Sequence, residues 1–199
     1  MKSILVVLLG TILCLSCKQK GAQPENSTNA DTTAESFMPV PDFLKEDLRK
    51  VDSFAGGIVL KTIRDEKMDS VFISPDELKT RSNAFMPEEL DSVYFHREFT
   101  ETSIMDETTS LLNFIYTAKP GSPSTVRKVV VYIAPSLATD KINRIYIERE
   151  FSRGDTVVSQ KMTWKLRQYW MLAEEGAVPG KTNYRVVQKA IWDPTQFGE

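Results

Sequence analysis

INRIYIEREFSRGDTVVSQKMTWKL, residues Ile142 to Leu166, reads as a β-hairpin and decides the fold. Gly154-Asp155 fits a two-residue turn with glycine first, the preference of a type II′ turn. Arg153 then faces Thr156, and the pairing of both strands follows. Phe151 meets Val158, Ile147 meets Met162 and Ile145 meets Trp164 on one face. On the other face Glu148 meets Lys161, Tyr146 meets Thr163 and Arg144 meets Lys165. This register separates an apolar side from a charged one, and a slip by one residue would mix them. A hairpin of this kind belongs at the centre of an antiparallel sheet.

The flanks extend the sheet. Val126 to Ile133 places Val129, Val131 and Ile133 on one face and Val130 and Tyr132 on the other, a pattern expected of a strand covered on both sides. Phe99 to Met105, Thr108 to Ala118, Tyr169 to Ala173 and Tyr184 to Trp192 are further strand segments, separated by turn-forming residues. Nearer the N-terminus, Ile58 to Arg64 and Met68 to Ile73 flank a charged turn at Asp65-Glu66-Lys67. Phe43, Leu44, Leu48 and Val51 recur at helical spacing within Asp42 to Asp52. Ser74-Pro75-Asp76-Glu77 starts a second helix expected to reach Phe85, with serine as cap, proline at the first helical position and two acids at the positive end of the dipole. Pro87-Glu88-Glu89 opens another helical turn toward Phe95. The expected fold is α+β, with N-terminal helices packed on a mainly antiparallel sheet of seven or more strands in hairpin order.

Composition narrows the function. Of 199 residues, 41% are hydrophobic and 26% charged, as in folded proteins, and the formal net charge is −2. Nothing is basic enough to make nucleic acid the main partner. The two cysteines, Cys14 and Cys17, both lie at the N-terminus, so residues 37–199 have no disulfide, thiol nucleophile or cysteine-bound zinc. His96 is the only histidine. It lies in Tyr94-Phe95-His96-Arg97-Glu98, no Gly-x-Ser-x-Gly motif is present, and a surface or boundary histidine between helix and sheet is expected. Glu148 and Glu150 share a face with Arg144, Lys161 and Lys165, which predicts a solvated salt-bridge ladder rather than a glycosidase pair. No phosphate loop or calcium loop is present. The expectation is a non-enzyme without metal or cofactor.

The first residues carry a different signal. Met1-Lys2-Ser3 is followed by an almost wholly apolar run from Ile4 to Leu15, then Ser16-Cys17. The run is too short to span a bilayer and suits a signal-peptide core. Its end resembles the lipobox of bacterial lipoproteins, in which a small residue precedes the cysteine that receives diacylglycerol. Cys14 stands where that pattern usually has leucine. The resemblance covers about the first 17 residues and implies a cleaved leader over residues 1–16, acylation at Cys17 and a membrane partner through that lipid. Lys18, rather than aspartate, follows the cysteine, which by the same resemblance implies the outer membrane. Residues 17–36 comprise that cysteine and a polar, aromatic-free tether through Glu35; Lys18 to Val40 as a coil would set its ends on the order of 25–30 Å apart. Residues 37–199 form one α+β domain whose pattern resembles envelope lipoproteins built on a single antiparallel sheet. That group has no assigned activity, so no site residue carries over from it.

Tyr132 and Tyr146 are the candidate ligand-binding residues, because they fall opposite Ile145, Ile147 and Trp164, on the face the helices are not expected to cover. Core packing with scattered surface aromatics is the blander reading of the same set. Two functions compete: a non-catalytic lipid-anchored envelope protein binding a partner protein or an envelope component such as a glycan, and a carrier of lipid or another apolar ligand on a curved sheet.

Overall fold

In the computed structural model, which describes residues 37–51, 56–134, 141–178, 180 and 183–198, the hairpin pairs in the expected register, from Arg153 opposite Thr156 to Arg144 opposite Lys165. Gly154 sits at φ +61° while Asp155 is not in the positive-φ region, which is the type II′ arrangement. The leader and tether expected from the sequence, and Cys17, fall outside the described residues.

The chain runs α1 (Val40–Val51), β1 (Ile58–Arg64), β2 (Lys67–Ile73), α2 (Pro75–Ser82), α3 (Ser92–Glu98), β3 (Phe99–Asp106), β4 (Leu111–Ala118), β5 (Val126–Ala134), β6 (Lys141–Arg153), β7 (Thr156–Lys165), β8 (Tyr169–Ala177) and β9 (Tyr184–Ile191). Short 3₁₀ turns occupy Asn83–Phe85, Glu88–Leu90 and Pro194–Gln196. All nine strands form one antiparallel sheet in the order β2-β1-β9-β8-β7-β6-β5-β4-β3. From β3 to β9 each strand pairs with the next in sequence. The exception to hairpin order is β1, which pairs with β9 through Val59–Ile191 to Arg64–Val186. That pairing adds the β1-β2 hairpin to the far end of the meander, so β2 and β3 are the two edges.

Local chemistry sets the boundaries. The Ser74 hydroxyl accepts a hydrogen bond from the Glu77 amide at 3.1 Å, capping α2 as expected. α2 stops at Ser82 and tightens into the 3₁₀ turn ending at Phe85, short of the continuous helix the sequence predicts. Pro87 explains the stop, since it drives Met86 out of the helical region, to φ −124° and ψ 55°. Asp91 caps α3 by accepting from the Val93 amide at 3.2 Å. Asp65 and Glu66 both adopt positive φ, the pattern of a type I′ turn between β1 and β2.

Among the described residues only α1 precedes the sheet; α2 and α3 lie between β2 and β3, so the expectation of N-terminal helices holds in part. The helices contribute Leu44, Leu48, Leu78 and Phe95 to one core with Val129, Val131, Ile145, Ile147, Met162, Trp164, Trp170 and Leu172 of the strands. These strand residues define an inner face. Phe85 packs its ring 5.3 Å from Trp164 and 5.4 Å from Trp170, and Trp164 lies 5.6 Å from Trp192. Toward β3, Phe95 packs on Phe99 at 4.5 Å and on Tyr116 at 4.9 Å.

One buried carboxylate fixes α1 to the sheet. Asp47 accepts from the Trp164 indole at 2.8 Å and from the Arg167 amide at 2.9 and 3.0 Å. Arg167 holds φ +66° in the turn between β7 and β8, so Asp47 also braces a strained residue. Burial raises the Asp47 pKa, and the hydrogen bonds from Trp164 and Arg167 oppose that rise.

Candidate functional site

The register places every residue on a face. Two of the outer rows run Phe72, Val59, Ile191, Tyr169, Lys165, Arg144, Tyr132, and Ser70, Lys61, Lys189, Met171, Thr163, Tyr146, Val130. A third runs Met68, Ile63, Val187, Ala173, Lys161, Glu148, Lys128. Tyr132 and Tyr146 thus lie on the outer face, as expected from the sequence, in neighbouring rows on β5 and β6.

Six of these outer residues are cations and one, Glu148, is an acid. The salt-bridge ladder expected from the sequence does not form. Glu148 accepts from the Tyr146 hydroxyl at 2.8 Å instead, and burial followed by that carboxylate holds the Tyr146 pKa well above the ordinary range. Glu150 reaches Arg127 at 4.0 Å, not a lysine of β7. Among the described residues no salt bridge involves Lys128, Arg144, Lys161, Lys165 or Lys189. Two of the five lie over tyrosine rings, Arg144 at 4.0 Å from the Tyr132 centroid and Lys189 at 4.5 Å from that of Tyr169. Lys165 donates to the Asn143 side chain. Burial, and then repulsion from Arg144 and Arg167, lowers its pKa. Lys61 differs in that it donates to the Phe197 carbonyl at 2.9 Å, where the C-terminal turn crosses the outer face.

The inner face carries a second polar group, beyond the helices. Glu174 on β8 accepts from Gln160 of β7 at 2.8 Å, Tyr184 of β9 at 2.8 Å and Arg153 of β6 at 3.2 Å. Burial pushes its pKa upward, but the hydrogen bonds from Gln160, Tyr184 and Arg153 outweigh that and hold it low. Gly176 lies opposite Tyr184, whose ring occupies the space a Cβ would need. A cleft of about 470 Å³ opens beside this group, lined by Arg64, Arg153, Leu172, Glu174, Tyr184 and Gln188 among others. At the other end of the same row, Arg149 donates to the Thr125 hydroxyl at 3.1 Å, and that hydroxyl donates to Glu89 at 2.5 Å. Sequence reading missed this row, although the hairpin register already set Arg149 opposite Gln160 on the apolar side. Two polar residues there were the available signal. Glu174 accepts through both oxygens and Glu89 through Oε1, so each carboxylate ties neighbouring elements together.

His96 lies exposed on α3, its ring 4.7 Å from that of Phe37, in the boundary position expected. Among the described residues no group of three or more histidine, cysteine or acidic side chains is placed to hold a metal. No described helix is long and apolar enough to cross a membrane. Neither a family model nor a curated protein matches this chain.

Proposed function

We propose that this chain is a non-catalytic lipoprotein of the bacterial envelope, anchored by acyl chains on Cys17, whose domain binds an envelope component through the outer face of its sheet. The observation that carries the binding role is the set of five cations on that face without a carboxylate partner, interleaved with Tyr132, Tyr146 and Tyr169. A solvated face gains little from unpaired like charges, which repel one another. The same cations offer an anionic surface direct contacts. The anchor rests on the apolar run ending at Ser16-Cys17, and the outer membrane on Lys18.

A lipid carrier is the competing reading and requires an enclosed apolar pocket. Here the apolar side chains of the inner face are taken up by packing: Trp164 and Trp170 meet Phe85, and Ile145 and Ile147 lie within the same core. No observation favours the carrier.

Mass spectrometry of the N-terminus of protein recovered from envelopes tests the anchor. Diacylglyceryl on Cys17 is expected, and a free amine at Lys18 or beyond overturns it. A photoreactive amino acid placed at position 161 tests the face. It should crosslink in intact envelopes, whereas the same group at position 81, on α2, should not.

A further inference from the structure

We propose that the envelope component met by the outer face is the bilayer surface itself, with Lys128, Arg144, Lys161, Lys165 and Lys189 on anionic phospholipid headgroups and Phe72 and Met68 entering the headgroup layer. The inference rests on the binding role argued above and names its partner.

Charge complementarity carries it. The whole chain is acidic, at −2, yet the three outer rows from Phe72, Ser70 and Met68 hold six cations and one acid. The next outer row, Glu150, Ser159, Glu175 and Arg185, holds two acids, each paired with an arginine, Arg127 at 4.0 Å and Arg185 at 3.3 Å, and bounds the cationic field. From Lys128 on β5 to Lys189 on β9 the cations span four strand spacings, roughly 19 Å. No small anion covers that width, so the surface fits an extended array of negative charge.

The apolar neighbours select lipid among such arrays. On the same face, at the β2 edge, Phe72 is 77% exposed, Met68 67% and Ile63 42%. Large apolar side chains beside a cationic field match the boundary between headgroups and acyl chains, where apolar burial and attraction to anionic lipid act together. Tyrosines interleaved with the cations suit the same boundary, since each presents an apolar body and a polar tip. Arg144 and Lys189 are held over Tyr132 and Tyr169, which fixes two of the cations on the outer side.

The test uses the unacylated chain from Lys18 to Glu199, which retains the entire compact unit beginning at Glu35. Cosedimentation with phosphatidylcholine vesicles is compared with vesicles that also contain phosphatidylglycerol. Binding is expected only to the second, and it should weaken steeply as salt rises. The triple variant Lys128→Gln, Lys161→Gln, Lys189→Gln should bind about a hundredfold more weakly, at about fivefold per cation. The matching Lys→Arg triple should bind as the wild type does. Phe72→Ser should weaken the binding that remains at high salt. Arg49→Gln with Arg81→Gln, on α1 and α2, should change nothing. Equal binding to both vesicles, or an unaffected Gln triple with wild-type circular dichroism, overturns the proposal. A wild-type chain that ignores both vesicles while position 161 crosslinks to an envelope protein overturns the lipid partner and leaves the binding face standing. Failure of both overturns both.

Discussion

Gly154 and Asp47 each hold a local geometry on which the surrounding chain depends. Gly154 takes φ +61° with open space around it, so only backbone strain opposes a side chain there. Gly154→Val should cost about 1–3 kcal/mol in a denaturant melt, with the native sheet retained. Asp47→Ala leaves the Trp164 indole and the Arg167 amide without their acceptor, and should cost about 2–4 kcal/mol. Its pH dependence has a definite sign. The folded pKa of Asp47 is raised, so its contribution is fully present below the unfolded value and is lost as pH rises through the folded one. The stability gap between wild type and Asp47→Ala should therefore widen as pH falls from neutral toward 4. A gap that narrows would mean the carboxylate is better stabilised by its donors than by proton uptake.

At the scale of elements, the β6-β7 hairpin ranks its own residues. Trp164 is fully buried against Phe85 and Trp192, and Trp164→Ala should cost about 3–5 kcal/mol. Lys161 stands exposed on the outer face without an ion pair, and Lys161→Ala should change stability by less than about 0.5 kcal/mol. Melts that reverse this order would mean the two faces are exchanged. The tie at Glu174 joins β6, β7, β8 and β9 through Arg153, Gln160 and Tyr184. Its depressed pKa means that its contribution is present above the unfolded value and is lost as pH falls through the folded one. The deficit of Glu174→Gln should therefore shrink below pH 4, the opposite trend to Asp47→Ala. Parallel trends in the two thermal-melt series would contradict one of the two assignments.

For the whole molecule, the pairing of β1 with β9 joins the two ends of the domain. β9 also supplies Ala190 and leads to Trp192, both fully buried. Ending the chain at Gly180 removes β9, exposes backbone on β1 and β8 and opens the core around Trp164. Such a chain should show no cooperative thermal transition by circular dichroism. Retention of a sharp transition would show that β3 to β8 and the helices suffice.

The sequence by itself determined whatever depends on neighbours a few residues apart. The hairpin register follows from Gly154 and strict alternation, the cap of α2 from Ser74 and Pro75, and the strands from runs between turn residues. The outer position of Tyr132 and Tyr146 was legible for the same reason, since alternation assigns a face without knowledge of the partner strand. The salt-bridge ladder was misread because direct opposition does not force contact. The Tyr146 hydroxyl, on the same strand as Glu148, reaches it first. Tertiary structure alone decided that β1 lies beside β9, because nothing local encodes a pairing between opposite ends of the chain. It also brought Lys189 and Lys165, from separate strands, into one cationic face, and drew Arg153, Gln160 and Tyr184 around Glu174. Those groupings depend on the order of strands in the sheet, which hydrophobic period does not specify because it assigns a face and not a neighbour.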